Sequence, residues 1–408
     1  MNPERTTKSE VKTCLKKLFK NENIENLDFD VLGNSEKGDG YVGDIIFAEV
    51  RGTTKEETCK KFNVVLKCSK TSEALREKAP VKDAFLNEIY FYDVIFPSFK
   101  KFQNQRKSVE PFEKVPKCYG TLNTGNSEFL ALENLKSKGY TLWDKRKPLT
   151  RRHIDMVVKE YGKFHAVSIA MQNQEPERFQ MLVDGIDNLY SKFLKSSDIV
   201  GAYEQNFTVI QNLLKNDLDE NILQKLHNFK LNLGQFFEQS SHSVEDLNVI
   251  LHGDCWNNNF MHYQKNGEPS SFAMLDWQII RYSSPIFDLS YFLFSCLSEE
   301  DIQDVDTIKK HYHQCLTDHL EALGSKKSLY PLSQFLEEWQ KYAKFGLTIA
   351  TLIHKISLSE NCEIPDMAQT AEKGEDIANA FTQPIKNTSD YRKRIKYLVK
   401  YAAENNLI

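Results

Sequence analysis

The residues best suited to chemistry lie between Leu251 and Leu289. Asp254 there follows a histidine and a glycine, Asn259 comes five residues later, and a second acid, Asp276, follows a short apolar run. The two strand-like runs between Asn259 and Asp276 flank a polar loop with an Asn-Gly pair, which predicts a β-hairpin. Because a hairpin returns the chain to its starting end, we expect Asn259 and Asp276 to lie side by side, about 5 Å apart.

Carboxylate and amide oxygens held in this way suit Mg2+, which prefers oxygen ligands and leaves room for phosphate oxygens. We therefore predict Asn259 and Asp276 as metal ligands. Asp254 is predicted to be the catalytic residue, which orients an acceptor hydroxyl and accepts its proton. The plainer interpretation is a hydrogen-bonded loop in which Asp276 is a turn or cap residue. The order and spacing of acid, amide and acid favour kinase-type phosphoryl transfer.

A glycine-rich segment precedes this region and is predicted to bind ATP. Gly38, Gly40 and Gly43 form a GxGxxG pattern, and a strand-like run, Asp44–Val50, follows at once. Glycines let a backbone approach phosphates closely, although the pattern alone is equally typical of a glycine-rich hairpin turn. Because a strand and not a helix follows, the pattern argues against a dinucleotide-binding fingerprint and favours a kinase flap.

A lysine and a glutamate are predicted to form the next part of the ATP site. Lys67 ends a β-rich run, and Glu88 lies inside the apolar stripe of a helix-like segment, Pro80–Ile95. An unpaired carboxylate in that stripe would be costly. We therefore predict a Lys67–Glu88 ion pair that aims the ammonium at the α- and β-phosphates. The alternative is a Glu88 at the edge of the stripe, reaching solvent.

The segment Glu128–Leu132 has the composition of a strand and runs into a polar break. In a two-lobed kinase this position is the hinge, whose backbone groups bind adenine. Glu133 and Leu135 are therefore assigned to the ATP site. Any strand end would look similar, and only the order in the chain favours the hinge.

The bulk composition excludes several classes of protein. The chain has 408 residues and a net charge of −4, with no block of like charges, so we expect neither nucleic acid nor a membrane as partner. The N-terminus lacks an apolar signal region, and the longest apolar stretches are too short to span a bilayer. Eight scattered cysteines indicate a reduced, cytoplasmic protein. Nothing indicates an obligate protein partner.

The length predicts two lobes. We place a nucleotide-binding lobe at residues 1–134 and a catalytic and substrate-binding lobe at residues 135–408. The first lobe should hold a short helix near residues 10–20, then strands and one helix, with polar loops at residues 51–61 and 100–117. The second should be mainly helical from residue 150 onward, and its segment 185–245 is the candidate for a substrate-cleft insertion.

Taken together, the motifs make the chain resemble the ecdysteroid kinase-like family, a branch of the choline kinase and aminoglycoside phosphotransferase superfamily. The resemblance runs from about residue 33 to the C-terminal helix, and the matching segments are Val65–Cys68, Phe85–Glu88, Phe91–Tyr92, Leu132–Leu135, Gly139–Tyr140, Lys163–Ala166, His252–Trp256, Asn258–Asn259, Leu275–Gln278, Ser284–Pro285 and Asp288–Leu289. It implies an α+β, protein-kinase-like fold with a small β-rich N-lobe and a large, mainly helical C-lobe. Trp277 stands where the family usually has phenylalanine, and we expect it to be a packing position.

The resulting hypothesis is an ATP- and Mg2+-dependent small-molecule kinase. The resemblance and the near-neutral charge favour an ecdysteroid or another hydroxylated, largely apolar acceptor, including dietary toxins. The alternatives are a choline/ethanolamine-type or aminoglycoside-type phosphotransferase, or a catalytically inactive kinase-fold binding protein. A protein kinase is disfavoured, since only eleven residues separate Asp276 from Asp288 and leave no room for a long activation segment. Asp288 is expected to brace the catalytic loop through backbone hydrogen bonds.

Overall fold

A five-stranded antiparallel sheet forms the N-terminal part of the protein in a computed structural model. The structure describes residues 8–22, 24–34, 43–53, 58–241, 247–360, 362–363 and 366–408. The strand order is β1-β2-β3-β5-β4. The strands are β1 (Glu25–Asn34), β2 (Gly43–Thr53), β3 (Cys59–Ser69), β4 (Cys118–Asn123) and β5 (Glu128–Glu133).

The two faces of this sheet have different roles because side chains alternate along a strand. On β3, Val64, Leu66 and Cys68 face a small core shared with helix α1 (Lys8–Leu18), the predicted N-terminal helix. Val65 and Lys67 point to the opposite face and line a cleft. The alternation therefore brings the lysine to the cleft while its neighbours are buried.

The helical segment after β3 is longer than predicted. It comprises α2 (Glu73–Lys78), α3 (Val81–Tyr90), a π-helical turn (Phe91–Ile95) and α4 (Phe96–Gln105). The predicted helix, Pro80–Ile95, corresponds to α3 and the π-helical turn, but α2 and α4 extend the helical segment on both sides. The predicted polar loop at residues 100–117 begins only after Gln105. Phe99 and Phe102 are fully buried on α4, and this apolar spacing continues the helix through its polar residues. Strands β2 and β3 likewise extend into the predicted loop at 51–61.

The C-terminal part is mainly helical, as predicted. Its helices are α5 (Arg151–Gln174), α6 (Pro176–Asp184), α7 (Leu189–Ser196), α8 (Ile199–Leu214), α9 (Glu220–Leu231), α10 (Leu233–Ser241), α11 (Ile286–Cys296), α12 (Val305–Ala322), α13 (Leu332–Leu358), α14 (Met367–Glu372) and α15 (Thr388–Glu404). Its strands are β6 (Thr141–Leu142), β7 (Val249–Leu251), β8 (Phe260–Lys265), β9 (Glu268–Met274) and β10 (Arg281–Ser283). Strand β7 pairs with β10, and β8 pairs with β6 and β9.

The predicted hairpin is confirmed. Phe260 pairs with Met274 and Lys265 with Glu268, so β8 and β9 are antiparallel along their length. Asn266 and Gly267 connect them with φ angles of 53° and 80°. Positive φ at both central residues is the geometry of a type I′ turn, which Asn-Gly favours.

One large hydrophobic core extends through the helical part and reaches the helices beside the sheet. Trp277 is fully buried within it and stacks on Phe91, with ring centroids 3.8 Å apart. The expectation of a packing role for Trp277 is confirmed.

Helices α11 and α13 cross closely, since a Cβ on Gly346 would lie 2.1 Å from the carbonyl carbon of Ser290. The order of strands and helices makes the fold α+β, with a β-rich N-terminal part and a helical C-terminal part, as predicted.

Within the described residues, every helix is too short or too polar to cross a lipid bilayer.

Candidate active site

The loop that carries Asp254 leaves β7 and is held by helix α11. Oδ2 of Asp288 accepts a hydrogen bond from the backbone nitrogen of His252 at 2.7 Å, and Oδ1 accepts one from that of Gly253 at 2.9 Å. His165 lies 3.2 Å from Oδ2. Burial by itself raises the pKa of Asp288, but these hydrogen bonds and nearby histidines bring it below its ordinary value. Asp288 therefore braces the loop as predicted.

Gly253 is required by the shape of this loop. Its φ is +87°, and a Cβ there would lie 2.1 Å from the carbonyl oxygen of Ile279. Only glycine tolerates both conditions without moving the backbone. The glycine before Asp254 therefore lets the loop pack directly against the segment that follows Asp276.

Both carboxylate oxygens of Asp254 are held by neighbours. Oδ1 accepts a hydrogen bond from the hydroxyl of Tyr291 at 2.8 Å, and Oδ2 accepts one from Nδ2 of Asn259 at 2.6 Å. Burial raises the pKa of Asp254 and the charge of Asp276 raises it further, while the two hydrogen bonds oppose this rise. The arrangement fixes a half-buried carboxylate in one orientation.

The hairpin brings Asn259 and Asp276 to the same end, as expected. The backbone nitrogen of Leu275 donates to the carbonyl oxygen of Asn259 at 2.9 Å, so Asp276 emerges one residue beyond this contact. Asp276 has a φ of +64°, which an L residue rarely adopts and which turns the chain sharply out of β9. Because Nδ2 of Asn259 is engaged by Asp254, its planar amide directs Oδ1 to the other side.

These two side chains fit a bound Mg2+ ion in their chemistry. One offers a carboxylate and the other an amide oxygen, both hard donors, and two protein ligands suffice for an ion that also binds phosphates and water. Among the described residues, no group of three or more histidine, cysteine or acidic side chains is arranged to hold a metal ion. With two hard oxygen donors, Asn259 and Asp276 suit an ion that phosphates and water also coordinate.

The predicted Lys67–Glu88 ion pair is present. Nζ of Lys67 lies 2.6 Å from Oε2 of Glu88 and 2.9 Å from Oδ1 of Asp276. Burial lowers the pKa of Lys67, but the charges of Asp276 and Glu88 outweigh this effect and raise it above its ordinary value. Lys67 is therefore a buried cation that stays charged and links the sheet, helix α3 and the hairpin.

The cleft between the sheet and the hairpin has a volume of about 980 Å³, which includes the part that is open to solvent. One end is charged, with Lys67, Glu88 and Asp276 in its wall. The rest of the wall is largely apolar and includes Ile45, Phe47, Val65, Leu132, Leu142, Met261 and Leu275. A cleft of this size, apolar along most of its wall and charged at one end, suits a nucleotide whose phosphates lie at the charged end.

The predicted hinge residues line the same cleft. Leu135 is buried, and the side chain of Glu133 points to Lys138, with 2.6 Å between Oε1 and Nζ. The side chain of Asn134 accepts a hydrogen bond from the backbone nitrogen of Lys136 and caps the short helical turn that follows. This capping keeps the segment in place as the chain leaves β5.

The structure describes one of the three glycines predicted to bind ATP. Gly38 and Gly40 lie outside the described residues. Gly43 opens β2 and lines the cleft, but a Cβ there would lie 2.6 Å from the ring of Phe85 and 2.8 Å from the carbonyl oxygen of Cys68. Close packing therefore already requires a glycine at position 43.

Two side chains of the site were not assigned from the sequence. Tyr291 contacts Asp254 directly, and its position three residues after Asp288 on the same helix was the available signal. From the sequence, Gln278 contributed only to the family resemblance and was given no role in the site. When its carboxamide is oriented to satisfy both polar atoms, its oxygen lies 3.3 Å from Nζ of Lys67 and its nitrogen 3.3 Å from Oδ1 of Asp276. Gln278 therefore bridges the same charged pair from the side.

Comparison with known proteins gave one family and several distant structures. The model of the ecdysteroid kinase-like family matches residues 37–325. No curated protein matched the chain. A GDP complex of aminoglycoside 2'-phosphotransferase-IIIa aligns over 98% of this chain and 100% of its own, with 12% identity and a TM-score of 0.42. Glucosamine kinase bound to glucosamine, ADP and inorganic phosphate aligns over 91% of this chain and 80% of its own, with 8% identity and a TM-score of 0.31.

A third structure, of aminoglycoside phosphotransferase APH(3'')-Id from Streptomyces rimosus with ADP and streptomycin, covers 79% of this chain and 98% of its own, with 11% identity and a TM-score of 0.32. These structural scores are low, and the assignment rests on the family match, which covers well over half of the chain. The protein therefore belongs to the ecdysteroid kinase-like family and is a phosphotransferase that acts on a hydroxyl group.

Proposed function

We propose that this protein is an ATP-dependent kinase that phosphorylates a hydroxyl of an ecdysteroid or of another hydroxylated, largely apolar small molecule. The observation that carries the proposal is the meeting of Lys67, Asn259 and Asp276 at the charged end of one cleft, with Asp254 hydrogen-bonded to Asn259 beside it. A lysine, a metal-binding pair and a proton acceptor are the parts that kinase-type phosphoryl transfer requires.

Each side chain then has one role. ATP binds with its adenine near Glu133 and Leu135 and its phosphates towards Lys67, whose ammonium is positioned by Glu88. Asn259 and Asp276 hold the Mg2+ that accompanies the nucleotide. That ion, when bound, neutralises charge on the phosphates. Asp254 orients the acceptor hydroxyl and takes its proton as the oxygen bonds to the γ-phosphorus, while the bond from that phosphorus to the β,γ-bridging oxygen breaks and ADP leaves. Gly38, Gly40 and Gly43 belong to the flap over the phosphates.

The acceptor binds beside Asp254, and helices α7, α8 and α10, within the segment 185–245, help to enclose it. Tyr190 of α7 lies over the guanidinium of Arg281, 4.6 Å from ring centroid to Cζ, and Phe237 of α10 packs on Tyr203 of α8 with centroids 5.1 Å apart. Arg281 also donates to the carbonyl oxygen of Ser240 at 3.2 Å. These side chains pack against one another in the helical core. The support for a mostly apolar acceptor is the family match and the near-neutral net charge of −4.

We propose the cytoplasm as the location of the protein and residue 134 as the end of the nucleotide-binding lobe (1–134), followed by the catalytic lobe (135–408). The eight cysteines are scattered along the sequence without a CxxC pattern, which supports a reducing compartment. The proposed boundary follows β5 directly, where the chain leaves the sheet. The proposed partners are small molecules, with neither nucleic acid nor an obligate protein partner.

The test of the catalytic assignment is the variant Asp254→Asn. We expect turnover of ATP with the acceptor to fall by roughly 10²- to 10⁴-fold, because the proton acceptor is lost. Binding of ATP, measured by calorimetry, should change little, since Asp254 is not in the wall of the cleft. The matched control is Asp318→Asn on the exposed side of α12. If Asp254→Asn retained wild-type turnover, Asp254 would not be the catalytic proton acceptor.

The test of the acceptor class compares ecdysone, choline and an aminoglycoside as acceptors at low and high salt. We expect the highest turnover with the apolar alcohol and little effect of salt, because burial of apolar surface is not screened by ions. Calorimetry should give a negative heat-capacity change for its binding. A strong preference for either cationic acceptor, weakened by salt, would contradict the proposal.

A further inference from the structure

We propose that Tyr291 is a positioning residue that sets the orientation of the Asp254 carboxylate for proton transfer. The inference rests on the role proposed for Asp254 above and adds a residue that does not line the nucleotide cleft. It is carried by one contact, the 2.8 Å hydrogen bond from the Tyr291 hydroxyl to Oδ1 of Asp254.

Helix α11 holds the catalytic loop at two points. Asp288 accepts hydrogen bonds from the backbone of His252 and Gly253, and Tyr291 donates to the side chain of Asp254. Residues three apart lie on the same face of a helix, so both contacts come from one turn of α11. The first contact fixes the backbone of the loop, and the second fixes the side chain that the loop carries.

Two donors restrain the carboxylate from opposite ends. Tyr291 engages Oδ1, while Nδ2 of Asn259 engages Oδ2 at 2.6 Å and the backbone oxygen of Asp254 at 3.0 Å. With both donors present, rotation about the bond between Cβ and the carboxylate carbon breaks at least one hydrogen bond. Without the phenol hydroxyl only Asn259 remains, and the carboxylate loses a fixed direction towards the acceptor.

The surroundings of Tyr291 keep this donor in place. Tyr291 is 5% exposed. Burial, and to a lesser extent the charge of Asp254, raises the pKa of its phenol well above the ordinary value, so the hydroxyl stays protonated. The close approach of Gly346 to the backbone at Ser290 and Tyr291 fixes this part of α11 against α13. A donor with so little freedom can orient a carboxylate without a further loss of entropy.

The experiment compares Tyr291→Phe with wild type in ATP turnover, with ecdysone as acceptor and separately with water as acceptor. Tyr291→Phe keeps the ring and removes only the donor. We expect kcat to fall about 10- to 100-fold, the scale of a misplaced catalytic group, with the KM for ATP unchanged. Replacement of Tyr291 by 4-aminophenylalanine restores a donor on the same ring and should recover most of kcat.

The matched control is Tyr397→Phe. Tyr397 lies on α15 and is also buried, and its hydroxyl donates to the carbonyl oxygen of Leu297, the residue after α11, at 3.2 Å. A similar loss of kcat in Tyr397→Phe, wild-type kcat in Tyr291→Phe, or no recovery with the amino analogue would overturn the inference. If Tyr291→Phe does not fold, the 4-aminophenylalanine variant must retain near-wild-type kcat. Asp254→Asn is measured in parallel, because wild-type turnover there refutes the proposed function instead.

Discussion

The buried charges of the site are compensated mainly by one another and only slightly by solvent. Lys67 lies between two carboxylates, those of Glu88 and Asp276, and the side chains of Lys67 and Glu88 are 11% and 1% exposed. A buried charge without its partner is costly, whereas a pair with good geometry is tolerated. The ion pair is therefore a structural requirement as well as part of the proposed phosphate site.

This dependence predicts the outcome of a double-mutant experiment. Lys67→Met leaves Glu88 buried without a cation and should lower the free energy of unfolding by about 3–5 kcal/mol. Adding Glu88→Gln removes the uncompensated charge, so stability should largely return while ATP turnover stays low. Urea unfolding and a turnover assay measure the two effects. The control is Lys386→Met, which breaks an exposed pair with Glu360 and should cost less than about 1 kcal/mol.

A different result would argue against the coupling. If Lys67→Met were as stable as Lys386→Met, Glu88 would have another means of compensation. If the double variant regained turnover, Lys67 would not contact the phosphates.

At the scale of elements, helix α3 is fastened to the helical part by Asn87, the neighbour of Glu88. Its Nδ2 donates to the carbonyl oxygens of Asp187 at 2.8 Å and Gln278 at 3.3 Å, and its Oδ1 accepts from the backbone nitrogen of Asp187 at 3.0 Å. One side chain thus joins α3, the loop before α7 and the segment after Asp276. The segment 185–245 therefore begins with a contact to the Glu88 helix.

This contact predicts that Asn87→Ala weakens both stability and catalysis. The loss leaves buried backbone groups without partners, which should lower the free energy of unfolding by about 1–3 kcal/mol. Freed from the loop, α3 should hold Glu88 less firmly, so kcat should fall. Hydrogen exchange should increase in α3. Asn104→Ala, an exposed change on α4, is the control. If Asn87→Ala and Asn104→Ala had the same stability, kcat and hydrogen exchange, Asn87 would not fasten helix α3.

For the whole molecule, the nucleotide cleft draws its wall from both parts of the chain. Lys67 and the hinge segment come from the sheet, while Asn259, Met261 and Asp276 come from the hairpin. Trp277, the neighbour of Asp276, stacks on Phe91 in the shared core. A ligand that binds across this cleft contacts both parts and should stabilise them together.

We therefore expect Mg2+ and ADP to raise the melting temperature of the whole protein. At a ligand concentration 100 times Kd, the stabilisation should be about 2.7 kcal/mol. Asp276→Ala should reduce the Mg2+-dependent part strongly, and Asn259→Ala less, since an amide binds a cation more weakly than a carboxylate does. Asp318→Ala is the exposed control. Mg2+ titrations that match wild type in both site variants would refute the metal assignment.

Local sequence patterns determined much of this protein. The Asn-Gly pair between apolar runs defined the hairpin and so the proximity of Asn259 and Asp276, because turn geometry is a local property. Glu88 inside an apolar stripe required a cation, and Lys67 proved to be its partner, since a buried charge needs compensation wherever the chain provides it. The family resemblance, the α+β fold and the bracing role of Asp288 were likewise predictable.

The tertiary structure alone decided the contacts between distant segments. Tyr291 meets Asp254 because α11 packs against the loop that carries Asp254, and Asn87 meets Asp187 because a loop of the helical part reaches α3. The burial of Phe99 and Phe102, which continues α4 through its polar residues, depends on the core into which both rings pack. Periodicity and turn chemistry act over a few residues, whereas these contacts depend on how separate elements pack, and packing is a property of the whole chain.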